Sequence, residues 1–162
     1  MAVRHSYFAA PREAVWAALA DGARYADWVV GTQEILREDP AWPAVGSQIE
    51  FSVGWGPLKY RNRTVVRICE PLDRLELEIK VGLLGTVRVA FQLLEWGEGT
   101  VAIVDEHPLR GISAGLHGPP GDMILHLRNR LMLRNLTALV QEKKQAGAGA
   151  PVGSPTSAQV PG

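Results

Sequence analysis

Glu106 and His107 close the last strand that the residue pattern predicts, and Arg128 follows on the long helix after it. A carboxylate or an imidazole of this kind can remove a proton alpha to a carbonyl, and a guanidinium or a phenol can stabilise the resulting oxyanion. Glu106, His107 and Arg128 are therefore the catalytic candidates, with Tyr60 as a second electrophilic partner. Each also has a structural reading. Glu106 lies beside Pro108 at a strand end, where carboxylates are commonly solvated, and Arg128 could reach past the edge of its helix or pair with Glu106. Strand alternation turns inward either Glu106 with Val104, or His107 with Asp105 and Ile103, and both assignments stay open.

A second group of residues suits binding. Tyr60 and Asn62 begin the fourth predicted strand on its apolar side, Trp55 ends the third, and Leu84 lies in the turn between the fifth and sixth. Arg128, Leu131 and Asn135 sit on the apolar arc of the long helix. A mostly apolar surface with a few placed polar groups is the usual anatomy of a small-molecule site. The expected ligand-binding set is thus Trp55, Tyr60, Asn62, Leu84, Arg128, Leu131 and Asn135. For Asn135 a satisfied core amide is an equal alternative.

Other chemistries find little support. No histidine pair has metal-ligand spacing, no Ser/His/Asp or Cys/His arrangement stands out, and no cofactor or metal is called for. Gly82-Leu83-Leu84-Gly85 lies between two strands and is not a phosphate loop. The single cysteine, Cys69, excludes an internal disulfide framework and reads as a buried small hydrophobe. Formal net charge is zero, and Arg61, Arg63 and Arg67 should be balanced on the outer surface by Glu50, Glu76 and Glu78. Arg130 and Arg134 are read with the same balanced face, so nucleic acid is not an expected partner. No apolar run has signal-peptide length or approaches the roughly 20 residues needed to span a bilayer. A cytoplasmic protein is expected.

The elements that must position these residues are legible in order. With 162 residues and 46% hydrophobic content, the chain suits one domain with a substantial core. Val3 to Ala9 is a predicted strand, Pro11 opens a short helix carrying Val15, Trp16 and Leu19, and Asp21 caps a second with Tyr25 and Trp28 on one face. Period-two segments follow: Thr32–Arg37, Ser47–Trp55, Tyr60–Cys69, Arg74–Val81, Thr86–Trp96 and Thr100–His107. Short turns between strands with one apolar face predict an antiparallel meander. The helix from Asp122 to Lys144 places Ile124, Leu127, Leu131 and Ala138 on one stripe and Leu125, Met132, Leu136 and Leu139 on the next. Residues 145–162, rich in Ala, Gly, Pro and Ser, are expected to form a disordered tail.

An α+β fold results, in which the one long helix must cover a single-faced sheet. The chain resembles the START-like superfamily, also called Bet v 1-like, SRPBCC, or the polyketide cyclase/dehydrase and lipid transport group. The resemblance rests on Ala10-Pro11-Arg12-Glu13-Ala14-Val15-Trp16, on Asp21 to Trp28, on Val45-Gly46 before the third strand and on the terminal helix. It covers residues 2 to about 143 and implies a helix-grip fold: a curved antiparallel sheet of about seven strands around the C-terminal helix, with two short helices after the first strand. It further implies an apolar ligand cavity between sheet and helix, within a ligand-binding domain of residues 1–144.

Two functions are compatible with that frame. One is binding or transport of a hydrophobic small molecule, lipid or polyketide-like. The other is a cyclase or dehydratase using the same cavity. A third, weaker reading is an interaction module whose apolar hairpins dock a protein, a homodimer included. Strand parity puts the turns at 54–59 and 82–85, the loop at 108–121 and the junction at 28–31 at one end of the sheet. Trp28, Trp55, Leu58, Leu83, Leu84 and Leu116 would then rim an opening.

Overall fold

The computed structural model describes residues 2–55, 58–80, 85–110 and 119–148. Strand β1 (Ala2–Phe8) leads to helix α1 (Arg12–Leu19), a 3-10 turn (Gly22–Arg24) and a single-turn helix α2 (Tyr25–Trp28). Six strands follow: β2 (Thr32–Glu38), β3 (Gln48–Trp55), β4 (Leu58–Glu70), β5 (Arg74–Lys80), β6 (Thr86–Trp96) and β7 (Gly99–Arg110). Helix α3 (Pro119–Ala148) ends the described chain. It starts three residues before the expected Asp122 and runs four beyond Lys144, into the segment expected to be a tail; residues 149–162 lie outside the description.

All seven strands form one antiparallel sheet in the order β1-β7-β6-β5-β4-β3-β2. The architecture is the expected α+β helix-grip arrangement, with the C-terminal helix packed on an open sheet. Alternation selects its inner face: Ile49 and Phe51 on β3, Thr64 and Val66 on β4, Leu75, Leu77 and Ile79 on β5, and Val87, Val89, Phe91 and Leu93 on β6 are all buried.

A bulge between Val66 and Ile68 reverses this parity late in β4. Ile68, which strict alternation along Tyr60–Cys69 would turn inward with Val66, instead opposes Glu76, and Cys69 opposes Leu75 and packs against the core. Burial pushes the Cys69 thiol above its ordinary pKa, which keeps it a poor nucleophile. A second bulge lies between Thr86 and Val87, where β7 continues through Pro108 to Arg110, with Val87 opposite Pro108 and Thr86 opposite Arg110. A proline cannot donate to a ladder, and an irregular register is where a sheet tolerates one.

The core is closed by an aromatic cluster under α2. Tyr25 meets Trp28, Phe51 and Trp42 at ring-centroid distances of 5.3, 5.5 and 6.0 Å, and Trp28 meets Phe91 edge-on at 5.6 Å. The Tyr25 and Thr64 hydroxyls are 2.5 Å apart, tying α2 to the middle of β4. The carboxy-terminal end of α3 is fastened to the same region. Lys143 pairs with Asp21 at 2.5 Å, Arg24 with Glu142 at 3.0 Å, and Lys144 donates to the Ala9 carbonyl at 3.1 Å.

On the described part of α3 the buried arc is Met132, Leu133, Leu136, Leu139 and Val140. It is rotated from the expected one: Ala138 is exposed, Leu131 is half-buried, and Leu133 and Val140 are inside. Helices α1 and α2 pack on this part of α3 beside β1 and draw a second flank into the core. No helix among the described residues is long and apolar enough to cross a membrane.

Candidate functional site

Antiparallel pairing sends the start of β1, the end of β3, the start of β4, the end of β5, the start of β6 and the end of β7 to one end of the sheet. Toward that end the inner face carries Asn62, Ile79, Val87, Val89 and Glu106, all less than a tenth exposed. The anchored end of α3 lies toward the opposite end, and the aromatic cluster spans the middle of the sheet, reaching the row of Asn62 through Phe51.

The structure decides which residue of the β7 terminus faces inward. Glu106 continues the inner series Ala102, Val104 and is 4% exposed, opposite Val89 on β6 and Ala2 on β1. Its Oε1 has no hydrogen-bond partner among the described residues. His107 lies on the outer face, opposite Arg88, and its Nε2 is 2.8 Å from the Asp105 carboxylate. Of the two, Glu106 alone is available to a site on the inner face.

Asn62 is buried opposite Phe51. Tyr60 shares its face by register but is 55% exposed, because it opposes Val53 near the open tip of the β3–β4 hairpin. Register thus keeps Tyr60 on the expected side of β4, with its side chain more than half exposed. Leu131 and Asn135 are half-buried on the flank of α3. The side chains of Trp55 and Arg128, and all of Leu84, Leu83 and Leu116, lie outside the described residues. Trp28 was expected on the rim and is instead 1% exposed in the core, held by Tyr25 and Phe91. Leu58, at the hairpin tip, is 64% exposed.

Glu106 on β7 and Asn62 on β4 are separated by three strand spacings, about 14 Å across the strands, and are offset along them as well, since register carries Glu106 through Val89 and Leu77 to Val66. Between them lie Val87 and Val89 on β6 and Leu77 and Ile79 on β5, an apolar floor with one buried polar group on each side. Glu106 and Asn62 are therefore placed to meet different parts of one bound molecule. A base and an oxyanion donor acting on one enolisable carbonyl must sit much closer together.

The outer face is balanced by specific ion pairs. Glu76, buried there, is held by Arg74 at 3.0 Å and Arg88 at 3.1 Å, and Arg67 pairs with Glu78 at 2.8 Å. The Arg67 hydrogen bond and charge hold the Glu78 carboxyl below its ordinary value against the effect of burial. Arg130 and Arg134 do not belong to this face. They lie on α3, facing β1, and were missed as a group because sequence spacing does not show that Arg4 and Ser6 lie across from them.

No protein-family model and no curated protein matches the chain significantly. Solved structures do. Protein CV1439 from Chromobacterium violaceum aligns with a TM-score of 0.65 and 21% identity, covering 85% of this chain and 95% of that one. Ara h 8.0201 aligns with a TM-score of 0.64 and 12% identity over 87% of this chain and 97% of that one. DynU16, a protein in the dynemicin biosynthetic locus, aligns with a TM-score of 0.57 and 22% identity over 90% of this chain and 47% of that one. Similarity at these identities establishes the fold, and the chain has the Bet v 1-like, SRPBCC fold that the sequence resemblance implied.

Proposed function

We propose that this protein is a cytoplasmic carrier or binding protein for a hydrophobic small molecule, lipid or polyketide-like, held between the inner face of the sheet and α3. One observation carries the reading: the buried apolar floor of Leu77, Ile79, Val87 and Val89, with Glu106 and Asn62 on opposite sides of it. An apolar surface with few, separated polar groups suits an extended ligand with polar substituents at both ends. The fold shared with Ara h 8.0201 and DynU16 supports it as analogy. Native mass spectrometry of the purified full chain tests the reading. A noncovalent adduct that dissociates into an apolar small molecule is expected. A bare chain that takes up no fatty acid or aromatic polyketide when offered them would contradict it.

A second reading, a cyclase or dehydratase, is favoured by one feature: the buried Glu106 carboxylate with an oxygen that no described residue engages. Such a carboxylate is a suitable base for a proton alpha to a bound carbonyl. This reading predicts deuterium exchange into a bound ketone from D2O that Glu106→Gln abolishes. Binding without exchange leaves the carrier reading alone.

A further inference from the structure

A groove of roughly 530 Å³ runs between β1 and the flank of α3, apart from the inner-face floor. Arg4 and Ser6, two residues apart and so on one face of β1, line one wall. Arg130 and Arg134, one helical turn apart, line the other, with Leu131 and Leu133 between them. Thr137 closes the wall, but its hydroxyl donates to the Leu133 carbonyl at 2.8 Å, leaving the exposed Arg130 and Arg134 guanidinium groups as the helix donors.

The charge on this groove is one-sided. Arg130 and Arg134 are exposed, and neither has a carboxylate within 4.0 Å among the described residues. Positions three and four residues before and after each carry no acidic side chain. Among the described residues no acidic side chain lines the groove; Glu106 is the diagonal neighbour of Arg4 on β1's inner side, so the two helix arginines carry the argument. Like charges one turn apart repel, and a guanidinium pair of this kind is a preformed clamp for a planar or tetrahedral oxyanion. Leucine side chains beside the charges add a place for an apolar tail, and the volume is that of a small-molecule site.

We propose that this groove binds the phosphate or carboxylate group of a small anion, with any attached apolar chain lying along Leu131 and Leu133. The groove lies at the β1 edge of the inner face, where Arg4 and Ser6 pair with Val104 and Ala102, but it shares no residue with Leu77, Ile79, Val87 and Val89 and is tested separately from them.

The test is isothermal titration of the full chain with dodecyl phosphate below its micelle concentration, with inorganic phosphate and with dodecanol. Dodecyl phosphate should bind more tightly than dodecanol, and its affinity should fall as salt is raised. Arg130→Gln with Arg134→Gln, at exposed positions that the core does not need, should weaken it at least about tenfold per guanidinium removed. The amide resonances of Ser6 and Thr137 should shift on binding and should not shift in the double variant. Inorganic phosphate binding with the same arginine dependence would identify a free oxyanion as the ligand. Binding of dodecyl phosphate alone would identify an amphiphile head group, and either result supports the site. Equal affinity for dodecanol and dodecyl phosphate, or an unchanged affinity in the double variant, would overturn it.

Discussion

Glu106 and Asn62 face the same side of the sheet from strands three positions apart, and every inner-face residue that the intervening strands place between them is apolar. A buried carboxylate with an oxygen that no described residue engages costs stability that an apolar core would not lose. Its presence on this face is the kind of local inconsistency that functional sites carry.

The first prediction concerns that cost. Glu106→Leu should raise the urea midpoint, corresponding to about 1–3 kcal/mol, because it removes a desolvated carboxylate oxygen and leaves an apolar floor. Glu106→Gln should keep the fold and weaken binding of ligands with a polar end. A lower midpoint for Glu106→Leu would show that the carboxylate is satisfied in the native protein and is structural.

The second concerns the tie between α2 and β4. Tyr25→Phe removes one partner of the buried hydroxyl pair with Thr64 and should cost about 1 kcal/mol. In a double-mutant cycle with Thr64→Val the two effects should be less than additive by a similar amount. Strict additivity in chemical denaturation would mean that the two hydroxyls do not support one another.

The third follows from Asp21, which caps the turn before α2 and pairs with Lys143. Burial alone would raise its pKa. The hydrogen bond and charge of Lys143, together with the Arg24 amide and guanidinium, outweigh burial and hold the carboxyl below its ordinary value of 3.8. The unfolded chain therefore takes up the proton first on acidification. The stabilisation is complete above the unfolded value and is lost as pH falls through the lower folded value. It should amount to no more than about 1 kcal/mol, as for other partly solvated pairs. The stability difference between the parent and Asp21→Asn should stay constant from neutral pH to about pH 5 and shrink below about pH 4. A difference that grew on acidification would contradict the assignment.

Much of this fold was legible because a strand's period is geometric. Alternation alone placed Ile49, Phe51, Thr64, Val66, Leu75, Leu77 and Ile79 on the inner face. It failed at Ile68, where one extra residue in β4 reverses the faces and turns Cys69 toward the core instead, and no local signal marks that bulge. Glu106 and His107 could not be separated, since both alternations of β7 mix apolar and polar residues. Pairing with β1 and β6, distant in sequence, makes the choice. Trp28 was misplaced because parity locates a junction but not the direction of its side chain, which here turns under α2 onto Phe91. Similarly, the arc of α3 depends on where α1 and α2 pack, and Leu133 and Val140 are buried for that reason.

The most direct test of the central claim uses the two faces of the same sheet as probe and control. Methyl-labelled protein is titrated with a spin-labelled stearate and its resonances are followed for paramagnetic broadening. If the ligand lies between sheet and helix, the methyls of Leu77, Ile79, Val87 and Val89 broaden first, while those of Val101 and Ile103 on the outer face of β7 do not. Broadening confined to the outer-face methyls, or to Leu131 and Leu133 in the β1–α3 groove, would contradict a ligand held on the inner face.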